Sequence, residues 1–309
     1  MFQLYNIHGP ITSIPEPTAV TVGVFDGVHR GHKDLFCQLS TINYQLSTLF
    51  VTLTSHPSFV LGRRDSEYWL DDPDEHMRLL FEAGAKYVAV LPFTREVAQR
   101  SACQMARLLY DRLNMRSLLL GYDSRFGSKQ NDDFDRLPQL AAELGFSLQR
   151  GEPFLVDEAP ISSSRIRESL MKGNVEQTAD LLGRPYSLAG TVLHGRGVGH
   201  TIGFPTANVD LSRTRKMLPK DGVYAVRVLP TTNYQLPTKI GMANLGAIPT
   251  FGIDKPTLEV HLLDFQGDLY GQDVTVEFTH RLRDIVRFDT PEALQSQLQH
   301  DLEQARQWS

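Results

Sequence analysis

Two histidines stand where a strand-like run of residues meets a helix-like run. Residues 20–32 read V-T-V-G-V-F-D-G-V-H-R-G-H, with His29 and His32 just after the break at Asp26-Gly27. The apolar, β-branched run before the break favours a buried strand, and apolar residues recur at helical spacing after it. Both imidazoles are therefore predicted at a helix N-terminus, where backbone N–H groups and the helix dipole attract phosphate. Imidazoles there can donate to a polyphosphate whose charge grows during transfer.

Glycines beside these histidines support the same interpretation. Gly27 and Gly31 allow a ligand to approach the backbone closely. The alternative is that both histidines only satisfy a surface turn, which the ordered run of glycine, aspartate and histidine disfavours. The catalytic candidates here are His29 and His32, and the phosphate-binding candidates are Gly23, Phe25, Asp26 and Gly31.

The longer pattern G-x-F-D-G-V-H-x-G-H resembles a known family. H-x-G-H after a strand is similar to the signature of the nucleotidylyltransferase superfamily, and the full run resembles the adenylyltransferase half of bifunctional bacterial riboflavin kinase/FAD synthetases. The resemblance implies transfer of AMP from ATP to the phosphate of FMN, with release of pyrophosphate. The residues alone indicate only a phosphate site on a strand-to-helix turn.

A second loop follows a predicted strand at Ser117–Leu120. The loop, Gly121–Gly127, resembles the family's G-x-D-F-R-F-G with Ser124 where phenylalanine is usual, and the resemblance makes Asp123 and Arg125 nucleotide-site candidates. A charged surface turn is the open alternative. The family's F-D-P-H-P is also altered, since Leu53-Thr54-Ser55 precedes His56 here. This change touches expected flavin contacts, and a plain turn role for His56 is equally open.

The N-terminal half ends with serines that precede two arginines. Ser162–Ser164 fit the N-cap region of a helix, but arginines in the first turn conflict with its dipole. A bound anion would remove that conflict. The stretch is similar to I-S-S-T-x-x-R, the second signature of the superfamily, with a hydroxyl retained at Ser164. The resemblance implies that these residues hold the ATP phosphates beside the histidines, with Arg167 in the catalytic set; the binding candidates are Ser162, Ser164 and Arg165.

The second half carries a glycine-rich loop at His194–Asn208. Its glycines do not form a dinucleotide fingerprint, because Pro205 stands where that motif requires a helix to begin. Such a loop can still cradle phosphates through its N–H groups, and threonine and asparagine oxygens suit Mg²⁺. The candidates are Gly199, Gly203, Thr206 and Asn208, with Thr206 and Asn208 as metal ligands.

G-F-P-T-A-N resembles the signature of riboflavin kinase, and the likeness extends through residues 219–224, 243–251 and 258–271. It implies that Glu259 accepts the proton of the ribityl 5′-hydroxyl while Thr206 and Asn208 serve Mg²⁺ and the ATP phosphates. The alternative for Glu259 is a solvated strand face. Ile285 departs from the family, which commonly has glutamate there beside the flavin site.

The periodicity of the chain changes once. Helical and strand-like segments alternate up to Gly183, including a predicted helix over residues 96–113, which favours an α/β domain with a doubly wound parallel sheet. Five strand candidates follow, then a helix capped by Thr290, which favours an antiparallel β-barrel with a terminal helix. These changes predict domains over residues 1–184 and 185–309. The strand candidates of the barrel are 187–193, 222–229, 239–244, 257–265 and 273–280.

Composition bounds the remaining expectations. The 309 residues are enough for two domains, and a net charge of −5 is too mildly acidic for a general nucleic-acid binder. Cys37 and Cys103 suggest neither a disulfide framework nor a zinc site, and the sequence shows no signal peptide or membrane-spanning run. We expect a cytoplasmic protein without a nucleic-acid or membrane partner. The sequence leaves open whether the protein forms an oligomer.

The resemblance covers roughly residues 15–305 and implies one function. The barrel would phosphorylate riboflavin to FMN and the α/β domain would convert FMN to FAD, both with Mg²⁺ and ATP. Two alternatives stay open: an enzyme with only one active half, and a non-catalytic regulatory protein that binds flavin.

Overall fold

The first strands and helices of the chain build a parallel sheet. In a computed structural model, the described residues are 3–6, 14–54, 57–62, 68–124, 126–128, 132–194, 203–230, 238–248, 253–265 and 267–308. They belong to two compact units, Met1–Ser163 and Ser164–Ser309. The sheet of the first unit has six parallel strands in the order β1-β4-β3-β2-β5-β6. These strands are β1 (Gln3–Asn6), β2 (Thr18–Gly23), β3 (Ser47–Leu53), β4 (Tyr87–Leu91), β5 (Met115–Leu120) and β6 (Ser147–Arg150).

Helices connect these strands, as the predicted doubly wound fold requires. Leu35, Phe36 and Leu39 form the buried stripe of the first helix, as their spacing predicted. A short hairpin, β7 (Leu155–Val156) and β8 (Ala159–Pro160), follows the sheet. The helices are α1 (Arg30–Ile42), α2 (Pro57–Val60), α3 (Pro73–Glu82), α4 (Arg95–Gln99), α5 (Ala102–Leu113) and α6 (Leu137–Leu144), with a 3₁₀ turn at Phe134–Arg136.

The prediction of a single helix over residues 96–113 is wrong, because this stretch forms two helices, α4 and α5. It is interrupted, because Ser101 caps a new helix: its Oγ accepts the Gln104 N–H at 3.2 Å, and Gln104 Oε1 accepts the Ser101 N–H at 3.0 Å. This reciprocal capping box satisfies two N–H groups that would otherwise have no partner at the start of α5. The sequence did not indicate this break, because apolar residues keep helical spacing on both sides of it.

The second unit contains the predicted antiparallel barrel, with one strand more than expected. The strands close in the order β10-β13-β12-β11-β14-β9. The additional strand, β10 (Ala207–Val209), has only three residues, so alternation could not reveal it. The other elements are α7 (Ser163–Lys172), α8 (Val175–Leu182), β9 (Tyr186–Leu193), β11 (Gly222–Pro230), β12 (Lys239–Ile248), β13 (Ile253–Leu262), β14 (Asp273–Arg283) and α9 (Pro291–Gln307).

The boundary between the compact units does not coincide with the position at which the sequence periodicity changes. The units divide at Ser163/Ser164, and α8 packs against strands β9 and β14 of the barrel. The predicted boundary at residues 184/185 instead marks where the chain enters the barrel, and as a domain boundary it stays a prediction. None of the helices in the described ranges is long and apolar enough to cross a membrane.

The terminal helix α9 is held on the barrel by apolar packing and by two ion pairs. Ala305 packs with Phe204, Ala225 and Met242. Asp301 is fully buried and accepts bonds from Arg283 at 3.0 and 2.6 Å, and from Gln297 at 2.9 Å. By contrast, Arg306 and Asp264 pair at 3.1 Å with both side chains more than half exposed. Only the first pair is shielded from water.

These two pairs predict different losses of stability. Asp301→Ala leaves the Arg283 guanidinium largely buried without its carboxylate, and we expect the free energy of unfolding to fall by about 3–5 kcal/mol. Asp264→Asn is the control: Asp264 lies just after β13 and pairs with Arg306 of α9 in contact with water, and asparagine tolerates its positive φ of 51°, so we expect a loss below about 1 kcal/mol. Urea unfolding of both variants measures the difference. Equal losses would contradict this account of how α9 is anchored.

Candidate active sites

His29 caps the helix that follows the central strand of the sheet. Its Nδ1 accepts the backbone N–H of His32 at 3.3 Å, and its φ and ψ of −72° and 171° are those of an N-cap residue. The two imidazoles stack with ring centroids 3.5 Å apart and planes 18° apart. The structure therefore brings both predicted catalytic histidines together at the N-terminus of α1.

The surroundings of the His32 ring disfavour its charged form. Burial of the ring lowers the pKa of His32 well below its ordinary value of 6.5, and the positive charges of His29 and His76 lower the pKa further. Its Nδ1 is buried and has no hydrogen-bond partner among the described residues. A bound polyphosphate would oppose these effects, because a nearby anion favours the imidazolium.

The turn that carries the histidines has an unusual backbone. Its φ angles are positive at three positions: 50° at Phe25, 81° at Gly27 and 35° at Val28. Residues other than glycine rarely adopt this left-handed region. Close packing also explains two predicted glycines. A Cβ on Gly23 would lie 2.6 Å from Phe25 Cε1, and one on Gly31 would lie 3.3 Å from His29 Nδ1.

Phe25 and Asp26, both predicted to bind the nucleotide, lie inside the turn. Asp26 is 1% exposed, and its Oδ1 accepts the Leu70 N–H at 2.8 Å. The Phe25 ring meets the His32 ring edge-on with centroids 5.3 Å apart. Both residues therefore shape the turn from within, which sequence spacing could not distinguish from contact with a ligand.

The Asp123 loop leaves β5, the strand beside β2. Chain connections leave β2 and β5 toward opposite sides of the sheet, so the carboxyl ends of these strands form the switch point where doubly wound folds bind ligands. Asp123 is exposed there. Arg150 donates to the Tyr122 carbonyl at 2.9 Å and braces the loop, a role that the sequence did not signal. Arg125 and the Ser55-His56 pair lie outside the described residues.

The predicted phosphate-binding stretch at Ile161–Arg167 begins beside the turn between β2 and α1, here called the histidine turn. Ser163 Oγ donates to the Asp26 carbonyl at 3.0 Å, and a Cβ on Gly31 would lie 3.6 Å from Ile161 Cβ. Ser162 is half-buried at this junction. The next residues start α7 in the second unit, where no acidic residue occupies the first turn: Ser164 is exposed, Arg165 is half-buried and Arg167 is buried.

On the barrel, the predicted base and a predicted metal ligand face each other. Asn208 of β10 lies directly opposite Glu259 of β13, and Asn244 of β12 lies opposite Glu259 on its other side. Directly opposed residues of antiparallel strands project to the same face, so these three side chains form a polar row. Burial raises the pKa of Glu259 above its ordinary value of 4.5. Asn244 was not among the predicted site residues.

A cavity of about 350 Å³ lies on the other face of these strands, and Thr206 is one of its lining residues. Ala207 and Val260 also line it, and strand alternation directs them to the face opposite Asn208 and Glu259. The Tyr270 ring at the cavity stacks on His194 with centroids 3.7 Å apart. Thus Thr206 borders the cavity, while Glu259 does not line it. Gly203 has φ of 80° just before β10, and Gly199 lies outside the described residues.

The comparisons with known proteins cover both units. The family described as riboflavin kinase matches residues 182–309, and the family described as FAD synthetase matches residues 11–165. A bifunctional riboflavin kinase/FMN adenylyltransferase from Escherichia coli strain K12 is 35% identical over 311 residues, covering 100% of this chain and 98% of that protein. Its counterpart from Haemophilus influenzae is 34% identical and covers 93% of each chain.

A solved structure shares the fold along nearly the whole chain. The crystal structure described as a macrolide-efflux protein from Streptococcus pneumoniae has a TM-score of 0.86 and 31% sequence identity, with 96% of each chain covered. Its efflux description belongs to that protein alone. The full-length sequence relatives and the two matched halves agree on one identity: the chain belongs to the family of bifunctional riboflavin kinase/FMN adenylyltransferases.

Proposed function

We propose that the two activities of this family are performed at the two sites described above, one in each unit. The chain is a riboflavin kinase that produces FMN and an FMN adenylyltransferase that produces FAD. The observation that carries the residue assignment for adenylyl transfer is the stacked His29/His32 pair at the N-terminus of α1, beside the switch point of the sheet.

Adenylyl transfer is assigned to the histidine turn. A phosphate oxygen of FMN attacks the α-phosphorus of ATP, the bond from that phosphorus to the bridging oxygen breaks, and pyrophosphate leaves. His29 and His32 donate hydrogen bonds to the α-phosphate as its charge grows. Ser162 helps to hold the leaving phosphates, and exposed Asp123 reaches the nucleoside. The same role for Ser164, Arg165 and Arg167, which belong to the second unit, stays a prediction of the family resemblance.

Phosphoryl transfer is assigned to the polar row of the barrel. The ribityl 5′-hydroxyl of riboflavin attacks the γ-phosphorus of ATP, ADP leaves, and Glu259 takes the hydroxyl proton. Burial of Glu259 supports this role, because a carboxylate with a raised pKa is a better proton acceptor. The cavity beside Thr206 holds the nucleoside of ATP, since Phe265 and Tyr270 supply flat apolar surfaces.

The donors at this site fit Mg²⁺. Thr206 and Asn208 offer a hydroxyl and an amide oxygen, the hard ligands that Mg²⁺ prefers alongside water and phosphate. When bound, the ion would neutralise phosphate charge. We also propose a reducing, cytoplasmic location, consistent with two free cysteines, Cys37 and Cys103.

His29 is expected to be required for FAD formation alone. His29→Ala should slow the conversion of FMN to FAD by about 100-fold or more, because a donor to the transition state is lost. FMN formation from riboflavin should stay within about two-fold. His29→Asn is the control for the capping role, since asparagine is a good N-cap. Chromatographic separation of the flavins measures both steps; normal FAD formation in His29→Asn would contradict the assignment.

Glu259 is expected to be required for FMN formation alone. Glu259→Gln should slow the phosphorylation of riboflavin by about 100-fold or more, because the amide accepts no proton. FAD formation from supplied FMN should be unchanged. Glu277→Gln removes a carboxylate of β14 that pairs with Arg227 at 2.9 Å, and we expect this control to keep both activities. A fully active Glu259→Gln kinase would exclude Glu259 as the base.

The raised pKa of Glu259 also predicts how pH affects rate and stability. A protonated carboxyl accepts no proton, so the kinase rate should fall as pH drops through a value above 4.5. The folded chain holds this proton more tightly than the unfolded chain. The resulting stabilisation is full below the unfolded pKa and is lost as pH rises through the folded pKa.

Glu259→Gln should therefore raise the melting temperature at pH 8 and leave it nearly unchanged at pH 4. Glu277→Gln should lower it at pH 8, because it breaks an ion pair. Thermal unfolding at both pH values compares the variants. A Glu259→Gln protein less stable than the wild type at pH 8 would contradict the burial argument.

A further inference from the structure

Hydrogen bonds link the histidine turn to two neighbouring elements that carry none of the signature residues. Asp71, just before α3, accepts the Gly27 N–H at 3.0 Å on Oδ2, and the same oxygen bonds His76 Nδ1 at 3.0 Å. His76 Nε2 lies 2.9 Å from Thr52 Oγ1 at the end of β3. That hydroxyl lies 3.3 Å from the carbonyl of Val24. These four hydrogen bonds form a relay, Gly27–Asp71–His76–Thr52–Val24, that begins and ends on the backbone of the turn.

The backbone of the turn needs such support. Phe25 and Val28 adopt left-handed φ values without being glycine, which strains the backbone at both positions. Conformations of this kind persist only where the surrounding structure fixes them from several directions. The relay attaches to both sides of Phe25, at Val24 and Gly27, and His29 follows two residues later. A shift of the turn would therefore move the N-cap of α1.

One arrangement of protons pairs every donor in the relay with an acceptor. The Thr52 hydroxyl has one proton and faces two groups, the Val24 carbonyl and His76 Nε2. If His76 carries protons on both nitrogens, it donates to Asp71 and to Thr52, and the Thr52 proton remains for Val24. Each atom that links two members of the relay then has a partner, while Asp71 Oδ1, outside the relay, is buried with none among the described residues. Asp71 is 2% exposed, so its carboxylate depends on the hydrogen bonds from Gly27 and His76 in place of water.

The relay is also close enough to act on the site electrostatically. The charge of His76 contributes to the low pKa of His32. His76 lies on α3 and Thr52 on β3, so both are held by regular elements rather than by the turn itself. Rigid elements position a site more accurately than a loop does.

We propose that Asp71, His76 and Thr52 are positioning residues for adenylyl transfer, which hold the Val24–Gly27 turn in the geometry that aligns His29 and His32 on the α-phosphate. The proposal rests on the proposed function of the histidine turn. None of the three residues touches the reacting atoms; each acts through the backbone of the turn. Their loss should therefore lower the turnover number for FAD formation and change the KM for ATP and FMN little.

The test uses the full chain, whose kinase reaction serves as an internal control. Thr52→Val removes the hydroxyl with little change of shape and keeps a good strand former. We expect it to lower kcat for FMN to FAD by about 10-fold, since small misplacements of reacting groups are costly. Thr52→Ser restores the hydroxyl and should restore the rate. His76→Gln should also lower kcat by at least about 10-fold.

A spectroscopic measurement separates positioning from general loss of structure. NMR titration of the His32 imidazole should show a higher pKa in His76→Gln than in the wild type, because a neighbouring positive charge is removed. In Thr52→Val, the His32 signal should move without loss of the dispersed spectrum. FMN formation should stay unchanged in all three variants.

The outcomes distinguish this proposal from the function on which it rests. If Thr52→Val and His76→Gln make FAD at the wild-type rate while His29→Asn does not, the relay is not required and the proposal is wrong. The same holds if Thr52→Ser is as slow as Thr52→Val, because the hydroxyl is then not the cause. If His29→Asn makes FAD normally, the proposed function of the turn fails, and this proposal fails with it.

Discussion

The first unit depends on one strained turn between β2 and α1. Three of the four residues from Phe25 to Val28 have positive φ, and only one of these is glycine. This path directs the chain sharply from the central strand into the helix, so that His29 caps α1 and stacks on His32. The strain is tolerated because buried polar groups hold the turn on all sides, Leu70 through Asp26 and Ser163 at the Asp26 carbonyl. The geometry of the proposed phosphate site is thus set by the hydrogen bonds and packing beneath the turn.

The two units meet the same chemical demand by different physical means. The parallel sheet presents a helix N-terminus, where backbone N–H groups and imidazoles supply positive character without a buried carboxylate facing the ligand. The barrel presents Glu259 between Asn208 and Asn244 on adjacent strands. Burial makes that carboxylate more basic, and the same burial opposes folding at neutral pH. The proton acceptor that we propose therefore reduces the stability of the barrel at neutral pH.

Periodicity in the sequence predicted what depends on repeated burial. The parallel sheet, the barrel strands and the stripe of α1 all repeat an apolar pattern over several residues. Features set by one polar contact were missed or misplaced. The break before α5 depends on the Ser101 and Gln104 capping box, and strand β10 is too short to alternate. Motif position marked Asp26 as part of the site but could not show that its carboxylate turns inward to Leu70, because that partner is 44 residues away in the chain.

The inward orientation of Asp26 suits the negative charge of the ligand that we propose for this turn. Two carboxylates facing a polyphosphate would repel it, so the acidic residues of this region must be satisfied elsewhere. Asp26 accepts the N–H of Leu70, and Asp71 accepts the N–H of Gly27, so each loop supplies a carboxylate to the backbone of the other. This reciprocal pair ties the two loops together, and His76 bonds the same Asp71 oxygen that accepts the Gly27 N–H. The carboxylates nearest the turn thereby become part of its framework, and positive groups are left to meet the phosphates.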